Sequence, residues 1–219
     1  MKILKIIIVV IALNFSSSAF AEISYSQFEN GDSYEGNWVN DEMNGYGKYT
    51  WFNDSIAVTY EGNWVNNNMH GFGKKIFSNG DVYEGNFVND TMNGYGKYTY
   101  SDGEFYEGNL VNDVVSGYGK YTYVNGHVYL GNLVNGVLNG YGKFTWLSGE
   151  VYEGDWLNGV MNGYGKYTWL VGEVYEGNWV NGNMNGFGKK IFSNGDVYEG
   201  NWVNDTMNEI GRASCRERV

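Results

Sequence analysis

The sequence Tyr-Glu-Gly-Asp-Trp-Leu-Asn-Gly-Val-Met-Asn-Gly-Tyr-Gly-Lys-Tyr-Thr-Trp occupies residues 152–169 and decides the fold. Close copies of this stretch recur along the chain, so the protein is a repeat protein. Successive copies start 23 residues apart, except that the first two start 26 residues apart. Seven full copies start at Tyr34, Tyr60, Tyr83, Tyr106, Tyr129, Tyr152 and Tyr175, and a truncated eighth copy starts at Tyr198.

Each copy contains two short segments that are typical of β-strands. They are rich in aromatic and β-branched side chains, and Asn, Asp and Gly bound them. After residue 21 nothing has helical periodicity, and the chain contains no Pro, which is compatible with uninterrupted strand pairing. The sequence therefore predicts an all-β fold, an elongated antiparallel β-hairpin repeat array in a single-layer twisted meander of about sixteen strands.

Turn-forming pairs separate one copy from the next. Asn-Gly or Asp-Gly occurs at residues 79–80, 102–103, 125–126 and 194–195, and such pairs supply the positive φ that a tight hairpin turn needs. The three residues added to the first interval lie within residues 52–59, where this Gly turn is missing. We therefore expect a longer loop at that point.

Strand alternation separates two faces of the predicted sheet. One face, which we call the ring face, contains Tyr152, Gly154, Trp156, Gly165, Tyr167 and Trp169. The simplest pairing puts the glycines beside large rings, because a missing side chain makes room for a ring. The same pairing puts Glu153 opposite Lys166 on the other face, as a cross-strand ion pair worth about 0.2–1 kcal/mol.

Two sets of residues are candidates for packing or binding. The aromatic candidates are Tyr34, Trp38, Trp51, Tyr60, Trp64, Tyr83, Tyr106, Tyr129, Trp146, Tyr152, Trp156, Trp169, Tyr175, Trp179, Tyr198 and Trp202. The structural glycines are Gly36, Gly47, Gly62, Gly73, Gly85, Gly96, Gly108, Gly119, Gly131, Gly142, Gly154, Gly165, Gly177 and Gly188. The copies differ most in the middle, where Leu110 and Leu133 replace Trp and Leu130 replaces Glu.

Both ends of the chain differ from the copies. Residues 1–21 combine a basic start, an apolar run and an Ala-Phe-Ala cleavage site, which predicts a signal peptide and export to the periplasm, the outer surface or the medium of a bacterium. Residues 22–33 resemble the second half of a worn copy, and residues 34–208 form the array. Residues 209–219 match the translation of a short-read sequencing adapter, so we interpret them as an artefact.

Composition restricts the possible partners. The formal net charge is −11, and without the two ends the chain is more acidic still. Nucleic acid is therefore excluded and anionic lipid disfavoured, because both bind clustered Lys and Arg. The one Cys lies in the terminal segment, so neither disulfides nor Cys-based metal sites are expected.

No group of residues suggests catalysis, a metal site or a cofactor. The two histidines, His70 and His127, lie in different copies without partners at ligand spacing. We interpret His70 as an exposed loop residue and His127 as an exposed turn residue. A regular array spreads its polar groups evenly, whereas an active site needs an irregular cluster. We therefore predict that the protein is not an enzyme and has no cofactor.

The copies resemble the MORN repeat, whose pattern is roughly Tyr-x-Gly-x-Trp-x-x-Gly-x-x-x-Gly-x-Gly followed by aromatic residues. The resemblance covers residues 34–208. It implies a β-hairpin array that serves as a scaffold or binding surface, usually for proteins and sometimes proposed for phospholipid head groups. The acidic chain departs from the basic character on which lipid binding depends.

Three functions remain open on the sequence. We favour a non-catalytic exported scaffold that presents an extended β-surface to another protein, with Tyr and Trp as anchors. An envelope glycan is the alternative partner, because rings stack on sugars and Asn side chains hydrogen-bond to them. The third possibility is a passive structural spacer whose rings are used in packing.

Overall fold

The computed structural model describes residues 22–53, 56–208 and 212–214. The predicted signal peptide and most of the predicted adapter-encoded segment lie outside these residues. No described residue is helical, and neighbouring strands are antiparallel, which confirms the all-β hairpin array. The described residues form two compact units, which divide between Val114 and Val115.

The first unit is an antiparallel sheet in which each strand pairs with the next along the chain. Its strands are β1 (Glu22–Gln27), β2 (Ser33–Val39), β3 (Glu42–Asn53), β4 (Ile56–Val65), β5 (Asn68–Ile76), β6 (Val82–Val88), β7 (Thr91–Thr99) and β8 (Phe105–Val111).

The second unit repeats this arrangement, with β16 pairing both short strands that follow it. Its strands are β9 (Val114–Thr122), β10 (Val128–Val134), β11 (Val137–Thr145), β12 (Val151–Leu157), β13 (Val160–Thr168), β14 (Val174–Val180), β15 (Asn183–Ile191), β16 (Val197–Val203), β17 (Thr206–Met207) and β18 (Arg212–Ser214).

The predicted register within a copy is confirmed. Gly154 pairs with Gly165, and Glu153 pairs with Lys166. The predicted ion pair between Glu153 and Lys166 is not among the ion pairs of the described residues. The Glu153 carboxylate instead accepts a hydrogen bond of 2.9 Å from the Tyr141 hydroxyl. Trp169 lies just beyond the end of β13 rather than within the strand.

A bulge interrupts the pairing in the middle of six hairpins. Gly154 pairs with Gly165 and Trp156 pairs with Met161. Between these pairs β12 has one residue, Asp155, while β13 has three, residues 162–164. The same irregularity occurs between Gly36 and Trp38 and between Gly177 and Trp179. The extra residues give each second strand a local bend at a fixed position.

The tight turns lie inside the copies. Asn40 and Asp41 have φ of 50° and 61°, and Asn158 and Gly159 have φ of 50° and 80°. Positive φ at both central residues is typical of a two-residue hairpin turn. At the predicted turns between copies only the glycine has positive φ, for example 88° at Gly80. These connections are longer, and the Phe77 N–H donates to the Asp81 carbonyl at 2.9 Å.

The expectation of a longer loop within residues 52–59 is wrong. β3 and β4 continue to pair from Thr50 with Thr59 to Asn53 with Ile56. The added residues lengthen both strands because the segment is rich in aromatic and β-branched side chains. Residues 54–55 lie outside the described part of the chain.

The core of each hairpin is a tyrosine ring lying over paired glycines. Tyr152 is 0% exposed, and a Cβ built on Gly154 or Gly165 would collide with its side chain. Its hydroxyl donates to the Asp155 carbonyl at 2.9 Å. The Trp156 ring meets the Tyr152 ring edge-on, with centroids 5.1 Å apart. Rings therefore pack within each hairpin at positions that only glycine leaves open.

In four copies a Trp side chain connects the hairpin to the preceding one. The Trp156 indole N–H donates to the Gly142 carbonyl at 3.2 Å. The same ring lies edge-on to Tyr129 at a centroid distance of 5.9 Å. Trp179 repeats the pattern one copy later, with a hydrogen bond of 3.1 Å to the Gly165 carbonyl. Stabilisation is thus shared between nearest neighbours, as in other repeat arrays.

Candidate functional site

Most of the aromatic candidates are buried in the ring face. The leading tyrosine of each full copy is 0% exposed, and Tyr198 is also buried. Their hydroxyls donate to the backbone carbonyl three residues later, as Tyr175 does to Asn178 at 3.0 Å. The buried tryptophans are Trp64, Trp156, Trp179 and Trp202. These rings hold the hairpins together and leave no surface for a partner.

The remaining aromatic candidates are the half-buried Trp38, Trp51, Trp146 and Trp169. In the second unit, two of them belong to a row of rings near the turns between copies. Trp146 lies 5.2 Å from Tyr167, and Tyr167 lies 4.5 Å from Trp169. The Lys190 ammonium lies 4.7 Å from the centre of the Trp169 ring. This row is the part of the ring face that stays partly open to solvent.

The predicted structural glycines occupy paired positions. Gly36 pairs with Gly47, and Gly177 pairs with Gly188. At both pairs a Cβ would meet the ring of the leading tyrosine of the same hairpin. The glycines therefore leave a surface of bare backbone on which each tyrosine ring packs.

A set of aromatic residues that was not selected from the sequence lies on the opposite face. We call it the outer column: Tyr46, Phe72 and Tyr95 in the first unit, and Tyr118, Tyr141, Tyr164 and Phe187 in the second. Its members are 54% to 63% exposed. The sequence contained a signal, because every full copy keeps Tyr or Phe at a position that alternation assigns to solvent.

The bulge positions each residue of the outer column. Gly163, which precedes Tyr164, has φ of 114°, and a Cβ there would lie 2.7 Å from the Asp155 Cβ. The Asp155 carboxylate accepts a hydrogen bond of 3.1 Å from the Tyr164 N–H. In the next copy the Asn178 amide donates to the Phe187 carbonyl at 3.3 Å. In five copies a hydrogen bond between an Asn or Asp side chain and the backbone of the outward residue, beside a glycine, therefore holds the ring in place.

Glutamates neighbour several rings of the outer column. The Tyr141 hydroxyl donates to Glu153 at 2.9 Å, and the Tyr164 hydroxyl donates to Glu176 at 3.1 Å. The hydrogen bond to Glu153 is the main cause of the raised pKa of Tyr141, while desolvation is the largest cause for Tyr164. These tyrosines stay protonated and neutral at physiological pH, so the column presents neutral rings with carboxylates beside them.

Both histidines, His70 and His127, are half-buried in the structure. His70 lies in β5 and is half-buried, so its interpretation as an exposed loop residue is wrong. His127 lies at a turn, as predicted, but it is half-buried rather than exposed, because its Nδ1 accepts a hydrogen bond of 2.9 Å from the Leu147 N–H. Within the described ranges, no group of His, Cys, Asp and Glu could hold a metal ion. The described residues form no helix that is long and apolar enough to cross a membrane.

Comparison with known proteins identifies the repeat. The family model of the MORN repeat matches residues 34–56, 60–82, 83–105, 106–128, 129–151, 152–173, 175–197 and 198–215. The chain belongs to the MORN repeat family. The last match extends this MORN array to residue 215, whereas the resemblance in the sequence ended at residue 208. No curated protein matches the chain.

Some solved structures have weak overall similarity to this MORN protein. The TCP10 domain of Danio rerio CPAP is 12% identical, with coverage of 82% of this chain and 83% of that chain and a TM-score of 0.47. The TCP domain of Drosophila melanogaster SAS-4, in complex with a proline-rich motif of Ana2, is 14% identical, with coverage of 59% and 71% and a TM-score of 0.38.

Proposed function

We propose that this MORN protein is an exported, non-catalytic scaffold that binds another protein through its outer column. The observation that carries the proposal is the exposed Tyr or Phe in every full copy, while the leading tyrosines are buried. Large aromatic side chains dominate binding energy at protein interfaces. An exposed aromatic ring at every repeat has no role in the packing of the ring face, so its use lies in recognition.

The surroundings of the outer column suit a protein partner. Glu153 pairs in register with Lys143 on one side and Lys166 on the other. Rings among charges of both signs provide apolar anchors with a polar rim, which is the usual composition of a specific protein interface. The net charge of −11 argues against nucleic acid and anionic lipid.

The absence of catalysis is part of the proposal. The polar groups on the described surface recur from copy to copy, as the Tyr141–Glu153 and Tyr164–Glu176 pairs do. A regular series of this kind lacks the unlike, convergent groups that catalysis needs. A repeated surface does suit a partner that contacts several copies at once.

The test is quantitative capture of proteins from an envelope extract of the source organism by the immobilised full chain. The variant replaces Tyr141, Tyr164 and Phe187 by Ala. A matched control replaces Val137, Val160 and Asn183 by Ala, at the starts of the same three strands. We expect the outer-column variant to bind a specific partner at least about tenfold more weakly than the wild type, a loss of about 1.4 kcal/mol of binding free energy. The control should capture the same amount of this partner as the wild type.

Retention of every captured protein by a folded outer-column variant would contradict the proposal. A parallel assay on peptidoglycan and envelope polysaccharides covers the glycan alternative. Glycan binding that the outer-column variant loses, without loss of any protein, would also contradict it.

Export rests on the sequence of residues 1–21, and its test is separate. We expect the protein in the periplasm, on the outer surface or in the medium, with Glu22 as its first residue after signal cleavage. Mass spectrometry of the N-terminal peptide after cell fractionation measures this. An uncleaved protein confined to the cytoplasm would refute export without bearing on the outer column.

A further inference from the structure

The turns between copies in the second unit expose an unusual group of apolar side chains. Val124, Leu147, Leu170 and Val171 are 66%, 72%, 68% and 68% exposed. Among the described aliphatic side chains, only Ile23, at 71%, is comparably exposed. We call these four residues the apolar turn edge. It lies at the ends of the hairpins, apart from the outer column.

The turn geometry does not require these apolar residues. Gly149 N–H donates to the Trp146 carbonyl at 2.9 Å, and Gly195 N–H donates to the Phe192 carbonyl at the same distance of 2.9 Å. The first of these turns contains Leu147, whereas the second contains Ser193 at the same position. The other turns of this kind also carry polar residues there, namely Glu29, Ser78 and Ser101. Three successive turns thus expose apolar side chains without a local structural reason.

The two leucines extend along the edge towards the preceding turn. The Leu147 Cδ1 lies 3.0 Å from a Cβ built on Gly126, and the Leu170 Cδ1 lies 3.7 Å from one built on Gly149. Each leucine therefore lies against the glycine of the preceding turn. The half-buried Trp169 directly precedes Leu170 in the chain. The four exposed side chains therefore form an apolar strip along three successive turns, and exposed apolar groups of this kind mark interaction sites.

Charges beside the strip define the partner. Glu150 and Glu173 end two of these turns. The Lys190 ammonium lies 3.1 Å from Glu173, so that pair is neutral. In the described part of the chain, Glu150 has no ion pair; its carboxylate accepts a hydrogen bond of 3.2 Å from Ser148. Two other titratable groups lie beside these turns: His127, whose Nδ1 accepts a hydrogen bond from the Leu147 N–H, and Tyr167, which hydrogen-bonds to Glu150. The border is therefore acidic, within a chain of net charge −11.

We propose that the apolar turn edge binds a basic amphipathic segment of a partner protein. The apolar side chains of this partner segment cover Val124, Leu147, Leu170 and Val171. The Lys or Arg residues of the segment face Glu150. Amphipathic segments bind apolar surfaces in this way. The acidic border disfavours an anionic membrane as the occupant. The inference adds a second binding surface to the proposed function and does not depend on the outer column.

The test uses the full chain and a fluorescein-labelled amphipathic Leu/Lys peptide, with fluorescence anisotropy as the readout. The variant V124S/L147S/L170S/V171N gives these turns the residues that other turns of the same chain carry, so it should fold. Circular dichroism and thermal melting verify this. The matched control is S78A/S101A/S193A. We expect the variant to bind at least about tenfold more weakly and the control to bind normally.

Further probes separate the contribution of charge to peptide binding from the contribution of the apolar side chains. A Leu/Glu peptide and a scrambled Leu/Lys peptide should bind weakly, and E150Q should weaken binding of the Leu/Lys peptide. The outer-column variant should bind this peptide normally, so failure of one proposal is distinguishable from failure of the other.

Several results would overturn the inference. Equal affinity of the wild type and the folded turn variant, or equal binding of the Leu/Glu peptide, would do so. Flotation with phosphatidylcholine vesicles that the turn variant abolishes, without peptide binding, would assign the edge to a membrane. Dimerisation that the variant abolishes, again without peptide binding, would assign it to a second copy of the chain.

Discussion

At the scale of single residues, each hairpin depends on the contact of one ring with two glycines. Tyr152 is fully buried over Gly154 and Gly165, and its hydroxyl is bonded to the backbone. The glycines are needed here for space rather than for an unusual backbone angle. The tyrosine in turn covers backbone that would otherwise be exposed on the ring face.

Replacing Gly165 by Val should therefore destabilise the second unit. The new side chain would collide with the Tyr152 ring, at a cost of about 1–3 kcal/mol. Urea unfolding followed by Trp fluorescence measures the change. Lys166→Val is the control, because Lys166 is exposed on the other face and should change stability by no more than about 0.5 kcal/mol. Equal stability of Gly165→Val and wild type would refute the ring contact.

The buried tyrosines also predict a loss of stability at alkaline pH. Burial raises the pKa of Tyr34, Tyr83 and Tyr175 to about 12. In an unfolded chain the tyrosine pKa is about 10. Between these values the unfolded chain releases protons that the folded chain retains, so the free energy of unfolding falls as pH rises.

Urea titrations at a series of pH values test this. The contribution of these groups should be complete below about pH 10 and should decline from there towards about pH 12. Absorbance of tyrosinate should rise together with unfolding. A free energy of unfolding that stays constant over this range would contradict the burial of these rings.

At the scale of strands and turns, side chains from one turn support the preceding hairpin. The Asp90 carboxylate accepts a hydrogen bond of 2.7 Å from the Met69 N–H. Asn67 performs the same role for Met43 N–H at 2.8 Å. Both acceptors lie in two-residue turns and have positive φ, 68° and 66°. The requirement is thus a short side chain with an oxygen in a left-handed backbone position.

Asp90→Ala should destabilise the first unit by about 1–3 kcal/mol, because it leaves the Met69 N–H without its partner and puts Ala at positive φ. Asp90→Asn should stay close to wild type, since Asn67 already provides the same bond. Chemical unfolding of both variants measures the difference. If Asn and Ala at this position were equally destabilising, the hydrogen bond would not be the cause.

Much of the element structure was predictable from the sequence. Alternation and glycine spacing predicted two strands per copy and the pairing of Gly154 with Gly165. The turn positions were harder, because Asn-Gly pairs suit several connections and the tight turns fall at Asn-Asp and Asn-Gly pairs inside the copies. Alternation assigned the outer column to solvent, but it does not show which of the two faces uses its rings in packing, so these residues were not selected as candidates. The bulge beside Gly163 then fixes the outward position of Tyr164.

At the scale of the whole molecule, charge and repetition restrict what the protein can bind. The net charge of −11 predicts no retention on anionic vesicles at moderate salt. Vesicle flotation with phosphatidylserine measures this, with a basic lipid-binding protein as the positive control. Strong flotation of the full chain would show that the charge argument fails.

The most direct test of the outer column as the binding surface is site-specific photo-crosslinking in the source organism. Benzoylphenylalanine replaces Tyr164 in the outer column or, as the control, Ser193 in a polar turn. We predict that the probe at Tyr164 crosslinks a discrete partner protein and that the probe at Ser193 does not. Crosslinking of the same partner from Ser193 but not from Tyr164, or no protein crosslink from Tyr164 in a folded chain, would contradict the proposed function.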